Sequence, residues 1–293
     1  MGHFGFLVPC IVVLPATYNQ FAMKMVPTER PLATQRIVDF ERPPVAETAL
    51  GVVFAPISRW TLLHFGLFWD KVRQNYPTTE VRTAAGPGEL RFSAGEGVDF
   101  NAFPVRTVFV DSSGTQLIQV QRNAFIRNWR QTEQTTDYEH YENVRPLFER
   151  DWKVFQGFLD EESLGGVEVV QCEVTYINHL VRGKEWETFG DVSRIFRVWS
   201  GGKVGDLRAS QMVSFMTAYE LPNNTGRLQV TVQPGIRKSD SKEIIQFVLT
   251  ATGKPASSNL SDILKWLDIG HVAVVTGFKE FTTPDMHSYW GIK

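Results

Sequence analysis

The 43 residues from Tyr138 to Leu180 decide the fold: YEHYENVRPLFERDWKVFQGFLDEESLGGVEVVQCEVTYINHL. Large apolar side chains recur at steps of three or four residues, which predicts one face of an α-helix over Tyr138 to Glu161. They are Tyr141, Val144, Phe148, Trp152, Phe155 and Leu159. The Gly165-Gly166 pair is expected to end this helix, because glycine readily adopts the left-handed conformation found after helix ends. Glu168 to Leu180 is rich in Val, Thr, Tyr and Ile, and predicts a long strand.

Upstream of this stretch the pattern is strand, helix and several more strands. Pro43 to Phe54 predicts an extended segment and a strand, and Trp60 to Tyr76 has helical spacing. Short strands separated by turn residues follow from Glu80 to Arg130, typical of an antiparallel meander. Pro146 is expected in the first turn of the 138–161 helix, where its missing N–H costs nothing.

Downstream, the same order begins again after the 168–180 strand. A less regular stretch to Trp199 predicts a short helix. Strands follow at Arg208 to Glu220, Gly226 to Gln233 and Glu243 to Thr252, and a long helix begins near Ser258 or Ser261.

Two alignments at one offset suggest an internal duplication. Glu47 matches Glu173, 126 residues later, and Leu117–Val120 matches Glu243–Gln246 at the same distance. Chance similarity between amphipathic strands is the alternative. We expect an α+β fold of duplicated strand–helix–antiparallel meander–long helix units, with two sheets or one continuous sheet backed by the long helices. The expected division is a poorly ordered extension over 1–40, a first half over 41–166 and a second half over 167–293.

The amino terminus carries an apolar run from Phe4 to Ala16. No Lys or Arg precedes it and Pro9 interrupts it, so an over-extended start of the chain is the preferred interpretation and an export signal is the alternative. No other segment reaches the length of uncharged apolar residues that a transmembrane helix needs.

Charge and cysteine content exclude several classes of protein. The chain has 30 Lys and Arg against 32 Asp and Glu, a net charge of −2, so no global field attracts nucleic acid or an anionic membrane. Cys10 and Cys172 are too few and too distant for a disulfide framework or a metal cluster, which favours a reducing, cytoplasmic location. No phosphate loop, dinucleotide fingerprint, HExxH or GxSxG motif occurs. We therefore expect no metal, no cofactor and no catalytic residue.

The segment Gln116 to Arg130 offers the clearest candidate for a binding surface. Phe125, Arg127 and Trp129 alternate along one strand and share a face, and arginine among aromatic rings can stack on bases or contact phosphate. A structural interpretation competes with this one: Arg127 pairs with a glutamate of the 138–150 helix region.

Four further residues are candidates for a binding site. Glu47 and Glu173 hold equivalent positions of the two halves and, if both point inward, form a carboxylate pair that raises one pKa. His179 follows Asn178 at the end of a strand, where side chains can face a cleft. His271 lies on the apolar face of the last long helix, where it is either a hydrogen-bonded core residue or a ligand-binding group, and Asp268 is placed to orient it.

Several ordered motifs between residues 43 and 291 resemble a sporadically distributed bacterial family of uncharacterised function. They are PPVAE (43–47), IQVQRNAFIRNWR (118–130), YEHYENVRPLFERDW (138–152), CEVTYINHL (172–180) and HSYWG (287–291). The resemblance implies a cytoplasmic bacterial protein scattered by horizontal transfer, as is typical of mobile-element, defence or toxin–antitoxin cargo. It carries no catalytic residues that could be transferred to this chain.

Three hypotheses for function follow. The leading one is a non-enzymatic binding or interaction protein, with a protein partner or a homodimer. The first alternative is nucleic-acid binding through the sheet face at Arg127 and Trp129. The second is a small-molecule binder or enzyme with a cavity between the sheet and a long helix; a cavity lined by Glu47, Glu173, His179 or His271 favours it.

Overall fold

The computed structural model describes residues 38–83, 105–135, 137–201, 205–207 and 210–293. The strands in this part are β1 Val45–Phe54, β2 Thr78–Thr83, β3 Val105–Val110, β4 Gln116–Gln121, β5 Ala124–Arg130, β6 Val169–Val181, β7 Phe215–Glu220, β8 Arg227–Ile236 and β9 Glu243–Gly253. The helices are α1 Leu62–Val72, α2 Tyr141–Glu161, α3 Val192–Ile195, α4 Leu260–Phe281 and α5 Pro284–Trp290. The strands form one antiparallel sheet in the order β2-β3-β4-β5-β1-β6-β9-β8-β7. The α+β class is confirmed, and of the two arrangements expected the single continuous sheet is observed.

The long helices α2 and α4 lie against one face of this sheet, which we call the helix face. In β5, Phe125 contacts Trp152 of α2 with ring centroids 5.4 Å apart. In β6, Tyr176 contacts His271 of α4 at 5.9 Å. Because side chains alternate along a strand, the neighbours of these residues point to the opposite face. The two faces therefore present different sets of side chains from the same strands.

Glycine allows α4 to approach the sheet closely. A methyl group at Gly270 would lie 2.8 Å from Cγ2 of Val174 in β6, and one at Gly277 would lie 2.6 Å from Cδ2 of Leu228 in β8. Contacts this short do not occur between real side chains, so α4 could not sit at its present distance with larger residues here. This close packing places the next residue, His271, against the central strand β6.

The position of Pro146 differs from the expectation. The helix begins at Tyr141 with His140 as its N-cap, so Pro146 lies in the second turn rather than the first. Proline there cannot donate the backbone hydrogen bond to the carbonyl of Glu142. Glu142 is exposed, so water can satisfy that carbonyl. The helix thus starts three residues after the predicted Tyr138, and Tyr141 and Val144 of its first turn are buried in the core.

The two halves of the chain share an element order in the sheet. In each half the first strand, β1 or β6, lies at the centre and pairs with the last strand of that half, β5 or β9. Leu117–Val120 lies in β4, and the segment aligned with it, Glu243–Gln246, lies in β9. This alignment does not fit the arrangement of the sheet, because β5 separates β4 from β1 whereas β9 is directly next to β6. Glu47 and Glu173 do lie in the corresponding strands β1 and β6. The internal duplication stays a prediction.

Some expectations concern parts of the chain outside the described residues. They are the apolar run in the extension, the part of the predicted meander over 84–104 and the first two residues of the strand predicted over 208–220. That strand is observed from Phe215, and the described residues 210–214 before it are not in a strand. The proposed boundary at residue 40 falls within a described segment, where Phe40 is buried and forms a β-bridge with Ile292. None of the described helices combines the length and the apolar character needed to cross a membrane.

Candidate functional site

The two central strands separate a cavity on the helix face from a cleft on the opposite face. Asn178 and His179 are consecutive residues of β6, so their side chains point to opposite faces of the sheet. Asn178 lines the cavity, and His179 lines the cleft.

The cavity lies between α4, the central strands and the segment 38–44, which we call the strap. The cavity has a volume of about 70 Å³. This is several times the volume of roughly 10–15 Å³ that one water molecule needs. Its walls are mainly apolar and aromatic: Val38, Phe40, Pro43, Val45, Tyr138, Tyr141, Tyr176, Leu249, Val274, Val275 and Phe278. Asn178 and His271 add polar groups to this lining. The lining, apolar with a few polar groups, is of the kind found in small-molecule sites, but the cavity is smaller than the ~150 Å³ that holds a benzene ring, so a ligand that it encloses has only a few non-hydrogen atoms.

Asn178 carries a buried hydrogen-bond acceptor without a partner. Its side chain is 0% exposed. The amide Nδ2 donates to the backbone carbonyl of Phe247 at 3.0 Å, which identifies the nitrogen end of the amide. The other end, Oδ1, has no hydrogen-bond partner. Leaving a buried polar atom unpaired costs about 1–3 kcal/mol, so this oxygen calls for a donor from inside the cavity.

Two tyrosines connect the cavity wall to His271. The hydroxyl of Tyr138 donates to the hydroxyl oxygen of Tyr176 at 3.2 Å. The hydroxyl of Tyr176 lies 3.0 Å from Nδ1 of His271. Each of the three side chains also packs within the aromatic wall of the cavity. The relay holds the imidazole in one orientation.

His271 is a neutral group at physiological pH. Burial lowers the pKa of its imidazole to about 4. The ring stacks on Tyr141, with centroids 3.9 Å apart and planes 2° from parallel. The expectation that Asp268 orients His271 is wrong: Asp268 accepts from the hydroxyl of Tyr141 at 2.8 Å and from Nε of Arg145 at 2.6 Å. The group that does contact the imidazole is Tyr176.

Charged residues of the cavity lie at its rim. Asp39 accepts from Nζ of Lys293 at 2.7 Å, and Nδ1 of His140 lies 3.8 Å from the Asp39 carboxylate. Glu142 is exposed. The interior is therefore uncharged, and the rim carries both signs of charge.

The cleft on the opposite face contains two of the predicted residues. Glu47 of β1 and His179 of β6 line it together with Arg130, Arg237 and other polar side chains. Burial raises the pKa of the Glu47 carboxyl, against opposing effects of Asn128 and Arg130. Burial and Arg237 lower the pKa of His179, whose Nδ1 has no hydrogen-bond partner. Both groups therefore disfavour charge.

The predicted Glu47–Glu173 pair does not form. Glu47 is opposite Ile177 in the register and Glu173 is opposite Gly51, so the two lie four residues apart along the central strands, about 13 Å. Glu173 accepts from the hydroxyl of Thr175 at 2.8 Å. Glu47 instead accepts from Nδ2 of Asn128 at 2.6 Å. The raised pKa of Glu47 comes from burial and not from a second carboxylate.

Arg127 and Trp129 are not on an accessible surface. Arg127 is 0% exposed and Trp129 is 1% exposed, on the helix face beneath α2. Nε of Arg127 donates to Asp151 of α2 at 3.2 Å, and its Nη2 donates to Gln116 at 2.7 Å. The competing structural interpretation, an ion pair between Arg127 and a glutamate of this helix, named the correct helix. The partner itself is an aspartate, Asp151, and not a glutamate. A nucleic acid cannot reach these two side chains in this structure.

Sequence reasoning singled out His271 but missed Asn178 and Tyr176 as parts of the same cavity. The signal for Asn178 is its place in an alternating row of β6 that otherwise reads Cys172, Val174, Tyr176 and Leu180. A polar residue in the buried row of a strand needs a hydrogen-bond partner. Tyr138 carries no comparable signal, because it precedes α2 and its partner is far away in the sequence.

In the described residues no group of His, Cys, Asp and Glu side chains is arranged to hold a metal ion. Cys172 is a buried free thiol with a pKa raised by burial. The resemblance to the sporadically distributed bacterial family stays a prediction. No model of a known protein family matches the chain, and no curated protein matches it in sequence.

Proposed function

We propose that this chain is a non-enzymatic binding protein whose ligand is a small molecule held in the cavity beneath α4. The observation that carries the proposal is the fully buried, unpaired Oδ1 of Asn178 in the lining of that cavity. A ligand group that donates a hydrogen bond to this oxygen would recover the free energy that its burial costs.

Three features support binding rather than catalysis at this site. Tyr138, Tyr176 and His271 already donate to or accept from one another. Burial raises the pKa of the Tyr176 hydroxyl and lowers that of His271, so both resist the change of charge that acid–base chemistry requires. Asn178 has no titratable group. The arrangement recognises a ligand and has no group poised to react with it.

The proposal also includes a protein partner, a cytoplasmic location and a role in a mobile-element, defence or toxin–antitoxin system. These three parts rest only on the sequence and on the family resemblance. A binding protein with a small-molecule site fits such a role as a sensor that reports a metabolite to its partner. That role is separate from the cavity and is tested separately, by co-purification from the native host.

The cavity is tested by filling it. Val275→Trp places a larger side chain in the lining, and Ile269→Phe enlarges a residue of the same helix that is absent from the lining. Probes are four uncharged five-membered rings of nearly equal shape, chosen for the small volume of the cavity: pyrazole, pyrrole, isoxazole and furan. Ligand-observed NMR is expected to show binding to the native chain and to the Ile269→Phe control, and loss of binding in Val275→Trp with the circular dichroism spectrum retained.

Two results would contradict the proposal. One is that none of the four compounds binds to the native chain. The other is that the compounds bind equally to Val275→Trp, which would place them elsewhere on the protein.

A further inference from the structure

The hydroxyl relay determines which nitrogen of His271 carries the proton. A tyrosine hydroxyl has one hydrogen and can accept as well. The oxygen of Tyr176 accepts from Tyr138, so its own hydrogen is directed to Nδ1 of His271, 3.0 Å away. A neutral imidazole whose Nδ1 accepts carries its proton on Nε2. The polar atom that His271 has left for a ligand is therefore a donor, Nε2–H, which has no partner among the described residues.

Asn178 offers the opposite polarity. Its Nδ2 is held by the carbonyl of Phe247, and a carbonyl can only accept. The amide therefore cannot rotate by 180° without setting Oδ1 against that carbonyl oxygen. Of the polar residues in the cavity lining, Asn178 therefore has an unpaired acceptor, Oδ1, and His271 has an unpaired donor, Nε2–H, among mainly apolar and aromatic side chains.

The interior also selects against charge. The carboxylates and the imidazole that flank the cavity, Asp39, His140 and Glu142, lie at the rim, and Asp39 is paired with Lys293. Inside, neither Asn178 nor neutral His271 can balance a full charge. Placing an ion in such a site without a counter-charge costs far more than one hydrogen bond returns.

We propose, on the basis of the proposed binding function, that the ligand is an uncharged, aromatic or heteroaromatic molecule that donates a hydrogen bond to Asn178 and accepts one from His271. Its polar pattern is that of a ring or planar amide carrying an N–H next to an unprotonated nitrogen or a carbonyl. The aromatic walls formed by Tyr141, Tyr176 and Phe278 favour a flat molecule over a branched aliphatic one.

The four five-membered rings separate the two hydrogen bonds. Pyrazole offers a donor and an acceptor, pyrrole a donor alone, isoxazole an acceptor alone, and furan lacks an N–H and a ring nitrogen. At a pH where pyrazole and His271 are both neutral, the affinity is expected to fall about tenfold for each missing partner, because a buried group is left unpaired. The expected order is pyrazole, then pyrrole and isoxazole, then furan.

Tyr176→Phe removes the donor that holds Nδ1, so His271 is free to carry its proton on either nitrogen. The roughly tenfold advantage of pyrazole over pyrrole is expected to shrink to about twofold or less in this variant. Tyr289→Phe is the matched control, because Tyr289 is 49% exposed and does not line the cavity. It is expected to keep the order of affinities found in the native chain.

Nitrogen-15 NMR of the imidazole gives a readout that needs no ligand. An unprotonated Nδ1 and a protonated Nε2 are expected for His271 in the native chain, and a mixture of tautomers in Tyr176→Phe. Protonation of Nδ1 in the native chain would overturn the inference.

The outcomes distinguish this inference from the proposed function. If all four probes bind with equal affinity and Val275→Trp abolishes them, the cavity binds ligands but the donor and acceptor pattern is wrong. If none of them binds, both the proposed function and this inference fail.

Discussion

His271 shows how one buried residue couples the cavity to the stability of the fold. Its side chain is 6% exposed, stacked on Tyr141 and hydrogen-bonded to Tyr176. Its pKa of about 4 means that the folded protein resists protonation which the unfolded chain accepts near its ordinary value of 6.5. The unfolded state therefore binds more protons between these two values.

This predicts a loss of stability in mild acid. As the pH falls from 6.5 towards 4, the free energy of unfolding is expected to decrease by up to about 3 kcal/mol because of His271 alone. His271→Gln removes the titration, so its difference from the native chain is expected to shrink over the same interval. Chemical denaturation at a series of pH values measures this. A difference that is constant between pH 6.5 and 4 would contradict it.

The residues of the cavity could be predicted only in part from the sequence. The helical spacing placed His271 on the apolar face of α4, where the structure has it. The sequence could not supply its partner, because Tyr176 is 95 residues away and the pairing depends on how close α4 comes to β6. Asn178 breaks an apolar row of β6, but its unpaired oxygen becomes apparent only when the carbonyl of Phe247 is in place.

At the scale of secondary structure elements, α2 and β5 are joined by a buried ion pair. Arg127 of β5 and Asp151 of α2 are almost completely buried. Asp151 also accepts from the hydroxyl of Tyr76 at 2.6 Å and from Arg150 at 2.8 Å. Burying two charges costs free energy that their attraction largely offsets, so the pair specifies how the elements pack more than it stabilises them.

The pair predicts a non-additive set of variants. Asp151→Leu leaves Arg127 as a buried, uncompensated charge, and is expected to lower the free energy of unfolding by about 3–5 kcal/mol. The double variant Arg127→Met/Asp151→Leu removes both charges and is expected to cost less than Asp151→Leu alone. Denaturant unfolding of the native chain and of these variants measures the coupling.

Lys153→Met is the control for this set, since Lys153 is on the same helix in an exposed pair with Glu149. It is expected to change stability by less than about 1 kcal/mol. A double variant that is less stable than Asp151→Leu would show that the ion pair is not the reason for the cost.

Most helices and strands could be predicted from the sequence, but which face of each strand is buried could not. The alternation of side chains along a strand correctly placed Phe125, Arg127 and Trp129 on one face of β5. This alternation does not show whether that face is buried or exposed. The missing signal is in α2, where Asp151 sits three residues after Phe148 and four before Phe155, within the apolar stripe. A carboxylate at such a position requires a buried cation, and Arg127 is that cation.

On the scale of the whole molecule, the strap joins the cavity to the carboxyl end of the chain. The backbone of Glu41 donates to Gly291 at 2.9 Å, that of Arg42 donates to Trp290 at 3.0 Å, and that of Lys293 donates to Asp39 at 2.9 Å. The strap therefore pairs with residues 290–293 like a short antiparallel ribbon. It also forms one wall of the cavity through Val38, Phe40 and Pro43.

This pairing makes the strap the part of the cavity wall that is easiest to open. The sheet and α4 are held by long hydrogen-bonded ladders and a continuous core, whereas the strap depends on a few backbone hydrogen bonds and on the packing of Phe40 against Phe278 and Trp290. Local opening takes place where few bonds have to break. Movement of the strap is therefore expected to widen the cavity without disturbing the central strands.

Removal of residues 291–293 is expected to loosen the strap and leave the sheet folded. It deletes the acceptor for Glu41 and the donor to Asp39, so hydrogen–deuterium exchange in residues 39–42 is expected to accelerate by about tenfold or more, with exchange in β1 and β6 unchanged. Lys293→Gln is the control: it removes the exposed ion pair with Asp39 and keeps the backbone hydrogen bonds, so it is expected to change exchange by less than about fivefold. Equal exchange in the truncated and native chains would mean that Phe40, and not the carboxyl end, holds the strap in place, and Phe40→Ala would then be the variant that loosens it.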